Sequence, residues 1–297
     1  MTRPRAATRP AGLARTVSLV RTTSLARTAR VAGLALATLL PPAAGPATAA
    51  DPAPVAAVAV APVAAAPVAV AYVAYAAALP VLRLHASYAI GPAYEVKLVF
   101  DTVGVFGLLL HAHVDSVASG ALSDGRARPS RYYAFGDVRG HPHVTQIDYP
   151  AGEPKVVQLA PPVEEEREAV PAALQIGTID SLSAMAELVA SVARTGRCDG
   201  TRRTFDGRRL SELSARTVGE ETLAPTGRSS FSGPALRCDL EGRQLAGFAK
   251  DADRAAAKPL HGSAWFASLA PGTPAVPVRI SFETQFFGAA IAYLVAK

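Results

Sequence analysis

Gly177-Thr-Ile-Asp-Ser-Leu-Ser-Ala-Met-Ala-Glu-Leu-Val-Ala-Ser-Val-Ala-Arg194 is the one stretch of this chain with a sustained helical period. At about 100° per residue, Leu182, Met185, Leu188, Val189 and Val192 share an arc about 120° wide. Ser183, Glu187, Ser191 and Arg194 fall on the opposite, wet arc. Thr178 and Asp180 are candidate caps at the amino end, and Gly196 follows the last periodic residue as a C-cap does. Fourteen helical residues span about 21 Å. The apolar stripe needs a cover, and the sequence around it has a period of two.

Tyr94, Val96, Leu98 and Phe100 alternate with Glu95, Lys97, Val99 and Asp101, and Val276, Val278, Ile280 and Phe282 alternate with Pro277, Arg279, Ser281 and Glu283. Further strands are expected over residues 81–90, 108–119, 130–135, 144–149, 155–159, 211–218, 235–240, 263–269 and 288–295. Short turns separate them, Ser123-Asp-Gly125 and Asp206-Gly207 among them, and short turns join antiparallel neighbours. The fold class is therefore α+β, predominantly antiparallel, a curved sheet of about ten strands wrapped around one amphipathic helix. It forms a single domain over residues 81–297. Phe100, Leu98, Leu188, Val278 and Ile280 are the expected apolar lining of its concave face.

The 297 residues carry 30 Lys and Arg against 24 Asp and Glu. Seven of those basic residues and none of the acids lie in residues 1–50, so the rest of the chain holds 23 against 24. The high isoelectric point belongs to the leader, and no nucleic-acid partner is expected. The leader runs from Arg-rich to apolar (Val31 to Leu40) to small residues ending at Ala49-Ala50, the order of a secretory signal peptide over residues 1–50. A mitochondrial presequence shares the arginines and the lack of acid. Residues 51–80, nearly all Ala, Val and Pro, read as a disordered tether, with a membrane anchor as the alternative. After leader removal no stable transmembrane segment is expected, and the location is periplasmic or secreted.

Cys198 and Cys238 are the only cysteines, and an even pair in an exported chain reads as a disulfide. His111, His113 and Asp115 alternate on a strand, about 7 Å apart at twice the strand rise, with His141 and His143 on a nearby strand. Such a set suits zinc, and a metallohydrolase built on it is the runner-up reading. No His-Glu-x-x-His or paired-cysteine motif accompanies it, so wet residues of a half-exposed strand are preferred. No Gly-x-Ser-x-Gly elbow and no phosphate-cradling glycine loop occur either. No catalytic residue and no cofactor is assigned.

Arg128-Pro129-Ser-Arg-Tyr132, Ile147-Asp-Tyr149, Gly177-Thr-Ile-Asp180-Ser-Leu182, Cys198-Asp-Gly200, Phe205-Asp-Gly-Arg-Arg209, Cys238, Ala246-Gly-Phe248, Trp265 and Pro277-Val-Arg-Ile280 occur in this order. The combination resembles the bacterial, mostly exported family called domain of unknown function 3108, from Val81 to the carboxyl end. The resemblance implies a periplasmic protein of undefined role. It further implies an open antiparallel half-barrel similar to the lipoprotein carriers of the Lol system. Ser181 departs from the proline expected at the first helical turn, and the first hairpin is short around Gly91-Pro92. Three functions follow: a β-cradle for an apolar or lipid-like ligand, a structural or assembly factor of the envelope with a filled core, or the metal-binding protein.

Overall fold

The computed structural model describes residues 66–252, 254–284 and 288–296. The expected signal peptide and residues 51–65 of the expected tether lie outside these. The first half of the chain forms β1 (Val68–Ala76), β2 (Leu79–Ile90), β3 (Ala93–Thr102), helix α1 (Gly104–Leu109), β4 (Ala112–Ser123), β5 (Arg126–Val138), β6 (His141–Asp148) and β7 (Lys155–Ala160). Short helices α2 (Val163–Glu166) and α3 (Ala172–Gln175) lead into the long helix α4 (Ser181–Thr195). Then come β8 (Gly200–Phe205), β9 (Leu210–Leu223), β10 (Gly233–Ala246), β11 (Leu260–Ala267), β12 (Val276–Thr284) and β13 (Gly288–Ala296).

All thirteen strands join one sheet in the order β7-β6-β5-β4-β3-β2-β1-β13-β12-β11-β10-β9-β8. Every neighbouring pair is antiparallel. Two meanders thus meet at the centre, where the first strand pairs with the last. The edges are β7 and β8, and among the described residues they do not pair with each other, so the sheet is open.

Its topology accounts for its curvature. The chain leaves one edge at β7 and re-enters at the other at β8, and the only long element between them is α4, about 22 Å of helix. The sheet therefore curls until both edges come within reach of one helix. Side chains latch the segment that follows β7 to the turns around β8 and β10. Arg208, in the β8–β9 turn, donates to the Pro161 carbonyl at 2.8 Å, and Arg167 donates to the Gly247 carbonyl at 3.1 Å. Gly207 packs so closely on β6 that a Cβ there would lie 2.8 Å from the Thr145 methyl, and its φ of +89° is a second reason for glycine.

Asp180 caps α4 by accepting from the Ser183 N–H at 2.8 Å, and Gly196 ends it at φ 64° with its N–H on the Val192 carbonyl. The helix packs against β2 to β5 on one side and β8 on the other. Leu182, Ala186, Val189 and Val192 are buried in the core that this creates, with Tyr94, Val96, Tyr132 and Ile147 from the strands.

Four sequence expectations need correction. Residues 68–76 of the expected tether form β1, at the centre of the sheet. Their low-complexity composition hides a period of two in which Val70, Tyr72, Ala74 and Ala76 are buried. The strand count is thirteen rather than about ten, and the strand expected from residue 108 starts at Ala112, because α1 occupies Gly104–Leu109. The amino-terminal half of the wet arc of α4 is also not wet: Ser183 is fully buried and the Glu187 side chain is 14% exposed, while Arg194 at the far end is exposed. A curled sheet covers more of the helix than the flat cover that a single stripe implies.

Candidate functional site

The helix covers the β2–β5 half of the concave face and leaves the β9–β12 half uncovered. A cavity of about 510 Å³ fills that space. Its helical wall is Met185, Leu188, Ser191 and Arg194, and its sheet wall comes from β8 to β12. The register explains why it is hollow. Gly200 pairs with Ala215, Ala215 with Leu240, Leu240 with Gly262, and Gly262 with Phe282, so these five side chains form one row on one face. The next row, Arg202, Leu213, Gly242 and Leu260, has the same character. Gly200, Gly242 and Ala215, set among leucines and a phenylalanine, leave volume that larger side chains would fill, whereas at Gly262 the strands approach so closely that a Cβ would lie 2.5 Å from the Ser281 carbonyl oxygen. A Cβ built on Gly200 meets no atom within 4 Å, so this position opens onto free space.

Of the apolar lining expected from sequence, Leu188 and Ile280 lie on the cavity wall. Val278 is fully buried in the core, Leu98 packs against that core, and Phe100 is half-buried on β3 in the other half of the sheet. Met185, Leu213, Leu240, Leu260 and Phe282 complete the apolar wall. Only the register brings them together, and single-strand periodicity does not reveal it.

Charge enters the cavity at one end. Glu187 accepts from Arg202 Nε at 2.9 Å and Nη2 at 3.0 Å, and from the Ala127 N–H at 2.9 Å. Arg126 Nη1 lies 3.5 Å from the same carboxylate. The guanidinium of Arg194 lies directly over Gly125 in the β4–β5 turn. Cys198 and Cys238 are bonded to each other, with Cα atoms 6.3 Å apart, which ties the segment after α4 to β10 beside the cavity.

A second polar cluster is sealed in the core. The Tyr94 hydroxyl donates to Ser183 Oγ at 2.6 Å, Ser183 Oγ donates to Asp180 Oδ2, and Tyr149 donates to the same oxygen at 3.4 Å. Burial pushes the Asp180 carboxyl above its ordinary pKa and also raises both tyrosines. Asp180 and Ser183 have no exposed surface, so no substrate reaches them, and the cluster serves as a helix clamp.

The histidines sit elsewhere. His113 Nδ1 lies 2.6 Å from Asp101 Oδ1 and its Nε2 lies 2.9 Å from Asp115 Oδ2, so both ring nitrogens are engaged. The hydrogen bond to Asp101 raises the imidazole pKa above its ordinary value. His111 is exposed and precedes β4, while His143 contacts Glu166 at 3.1 Å. Among the described residues no group of three or more His, Cys, Asp or Glu is arranged to hold a metal ion. No helix among them is long and apolar enough to cross a membrane.

The family model described as "Protein of unknown function (DUF3108)" matches residues 81–295. No match was found among curated proteins. Among solved structures, the chain is similar to a crystal structure of a beta-barrel-like protein of domain of unknown function DUF1849 from Brucella abortus. The identity is 11% and the TM-score 0.43, over 77% of this chain and 95% of that one.

Proposed function

We propose that this chain, which belongs to the DUF3108 family of proteins of unknown function, is a non-enzymatic binding module. It holds an apolar or lipid-like ligand between α4 and strands β9–β12. The cavity carries this reading: about 510 Å³ lies against Met185, Leu188, Leu213, Leu240, Ile280 and Phe282, within the size range of small-molecule sites. An envelope assembly factor with a filled core has no use for such a space. Glu187, the carboxylate set deepest in the wall, is held by Arg202 and Arg126 rather than placed beside a nucleophile, which favours binding over chemistry.

The place of action in this proposal is the bacterial envelope. The Arg-rich order of the leader and the Cys198–Cys238 bridge both support it, since disulfides persist in oxidising compartments. An open antiparallel sheet around a helix also supports a kinship of shape with Lol-type carriers.

Native mass spectrometry of protein recovered from the periplasm, followed by organic extraction and lipid analysis, tests the reading. The expected result is a fraction carrying one extractable apolar adduct. A single apo mass that stays unchanged after incubation with apolar ligands would sink it.

A further inference from the structure

We infer that the cavity accepts a single-chain amphiphile with an anionic head, a carboxylate or a phosphate, held at the mouth by Arg126 and Arg194. This rests on the binding-module reading above. Side chains alternate along a strand, and Leu240, Gly262 and Phe282 share the cavity face. Glu241, His261 and Glu283 are each one residue away and project to the opposite face, where the His261 N–H donates to Glu283 at 2.9 Å. The β10–β12 end is therefore apolar inside.

At the other end cations outnumber the acids available to them. Arg202 and the Ala127 N–H already engage both oxygens of Glu187. Arg126 reaches that carboxylate only at 3.5 Å, with 60% of its side chain exposed. Arg194 lies over Gly125, the residue before Arg126, and has no acidic partner among the described residues. The carboxyl end of α4 favours a cation at Arg194 without using its outward donors. Asp199 is engaged by the Thr217 N–H at 2.9 Å and by Arg197 at 2.8 Å, and Asp124 by the Ser123 hydroxyl at 3.2 Å. Arg126, Arg194 and Arg202 thus face two carboxylates, Glu187 and the exposed Asp124, which leaves the mouth with one cation in excess. A chain laid along Leu188, Leu213 and Phe282 leaves its head between the two exposed guanidinium groups, where carboxylate or phosphate gains charge-assisted hydrogen bonds.

Calorimetric titration of the mature oxidised protein with dodecanoate, dodecyl phosphate, dodecanol and dodecyltrimethylammonium, each below its micelle concentration, tests this. The anions should bind about tenfold tighter than the alcohol, the scale of one charge-assisted hydrogen bond, and the cation weakest. The ratio of dodecanoate to dodecyl phosphate identifies which anionic head the mouth prefers. Arg194→Gln and Arg126→Gln should each remove most of the anion preference and leave dodecanol binding unchanged. Alcohol and anions binding alike, or the cation binding tightest, would overturn the headgroup inference while leaving the binding module intact. No binding of any of the four would overturn both.

Discussion

Replacing Glu187 by alanine separates a curled sheet from a flat one. On a one-sided amphipathic helix Glu187 faces water and its loss is nearly silent, within about 0.5 kcal/mol. In the structure its side chain is 14% exposed, and it binds Arg202, whose side chain is 31% exposed, through two hydrogen bonds of 2.9 and 3.0 Å. The Ala127 N–H is its third donor. Truncating one partner of a fully buried pair costs about 3–5 kcal/mol, because a buried charge is left unpaired. Arg202 keeps about a third of its side chain in water, so the expected cost is lower, about 2–3 kcal/mol. For a domain of this size that lowers Tm by about 4–12 °C. Urea unfolding followed through Trp265, the only tryptophan and a buried one, gives the value. A double-mutant cycle with Arg202→Ala should return a coupling of about 1–2 kcal/mol. A Glu187→Ala protein within about 0.5 kcal/mol of wild type would refute the two-sided burial of α4.

Other substitutions separate the core side of α4 from its cavity side. Val189→Asp places a charge where no surface is exposed and should abolish folding, whereas Leu188→Asp, facing the cavity, should fold and lose apolar ligand; circular dichroism and probe binding distinguish them. Changing both Cys198 and Cys238 to serine should cost about 4 kcal/mol in chemical unfolding, from a cross-link that closes a separation of 40 residues. His113 has a raised pKa, so its stabilisation is full below the ordinary imidazole value of about 6.5 and is lost as pH rises through the raised value. The Tm difference between wild type and His113→Gln should therefore be larger at pH 5.5 than at pH 9; the reverse trend would contradict the Asp101–His113–Asp115 geometry.

The helix, its caps and most strands were legible because each rests on local periodicity or a capping residue. The alternation of Tyr94 to Phe100 and of Val276 to Phe282 names the inward faces without any knowledge of the neighbours. β1 is hidden because Ala and Val at seven of its nine positions, with one Tyr on each face, mask the difference between its two faces, and only the burial of Val70, Tyr72, Ala74 and Ala76 marks the inner one. Hydrophobic periodicity assigns Ser183 and Glu187 to water because it counts only apolar side chains. Here polar ones are buried by pairing, with Asp180 and Tyr94 in one case and Arg202 in the other. The cavity was beyond single-strand reading altogether. Gly200, Ala215 and Gly242 come from three strands, and they become one hollow only when the register sets them side by side.

Occupancy of that hollow is the central claim, and Gly200 offers the most direct test. Its backbone is not in the left-handed region and a Cβ there meets nothing, so phenylalanine at this position is tolerated by the strand and projects into the cavity. Titration of the neutral fluorescent probe N-phenyl-1-naphthylamine should show one site in the wild type. In Gly200→Phe, with an unchanged melting temperature, that binding should fall by tenfold or more, about the 1.4 kcal/mol that a displaced apolar contact supplies. Equal binding by the folded variant and the wild type would place the ligand elsewhere and contradict the account.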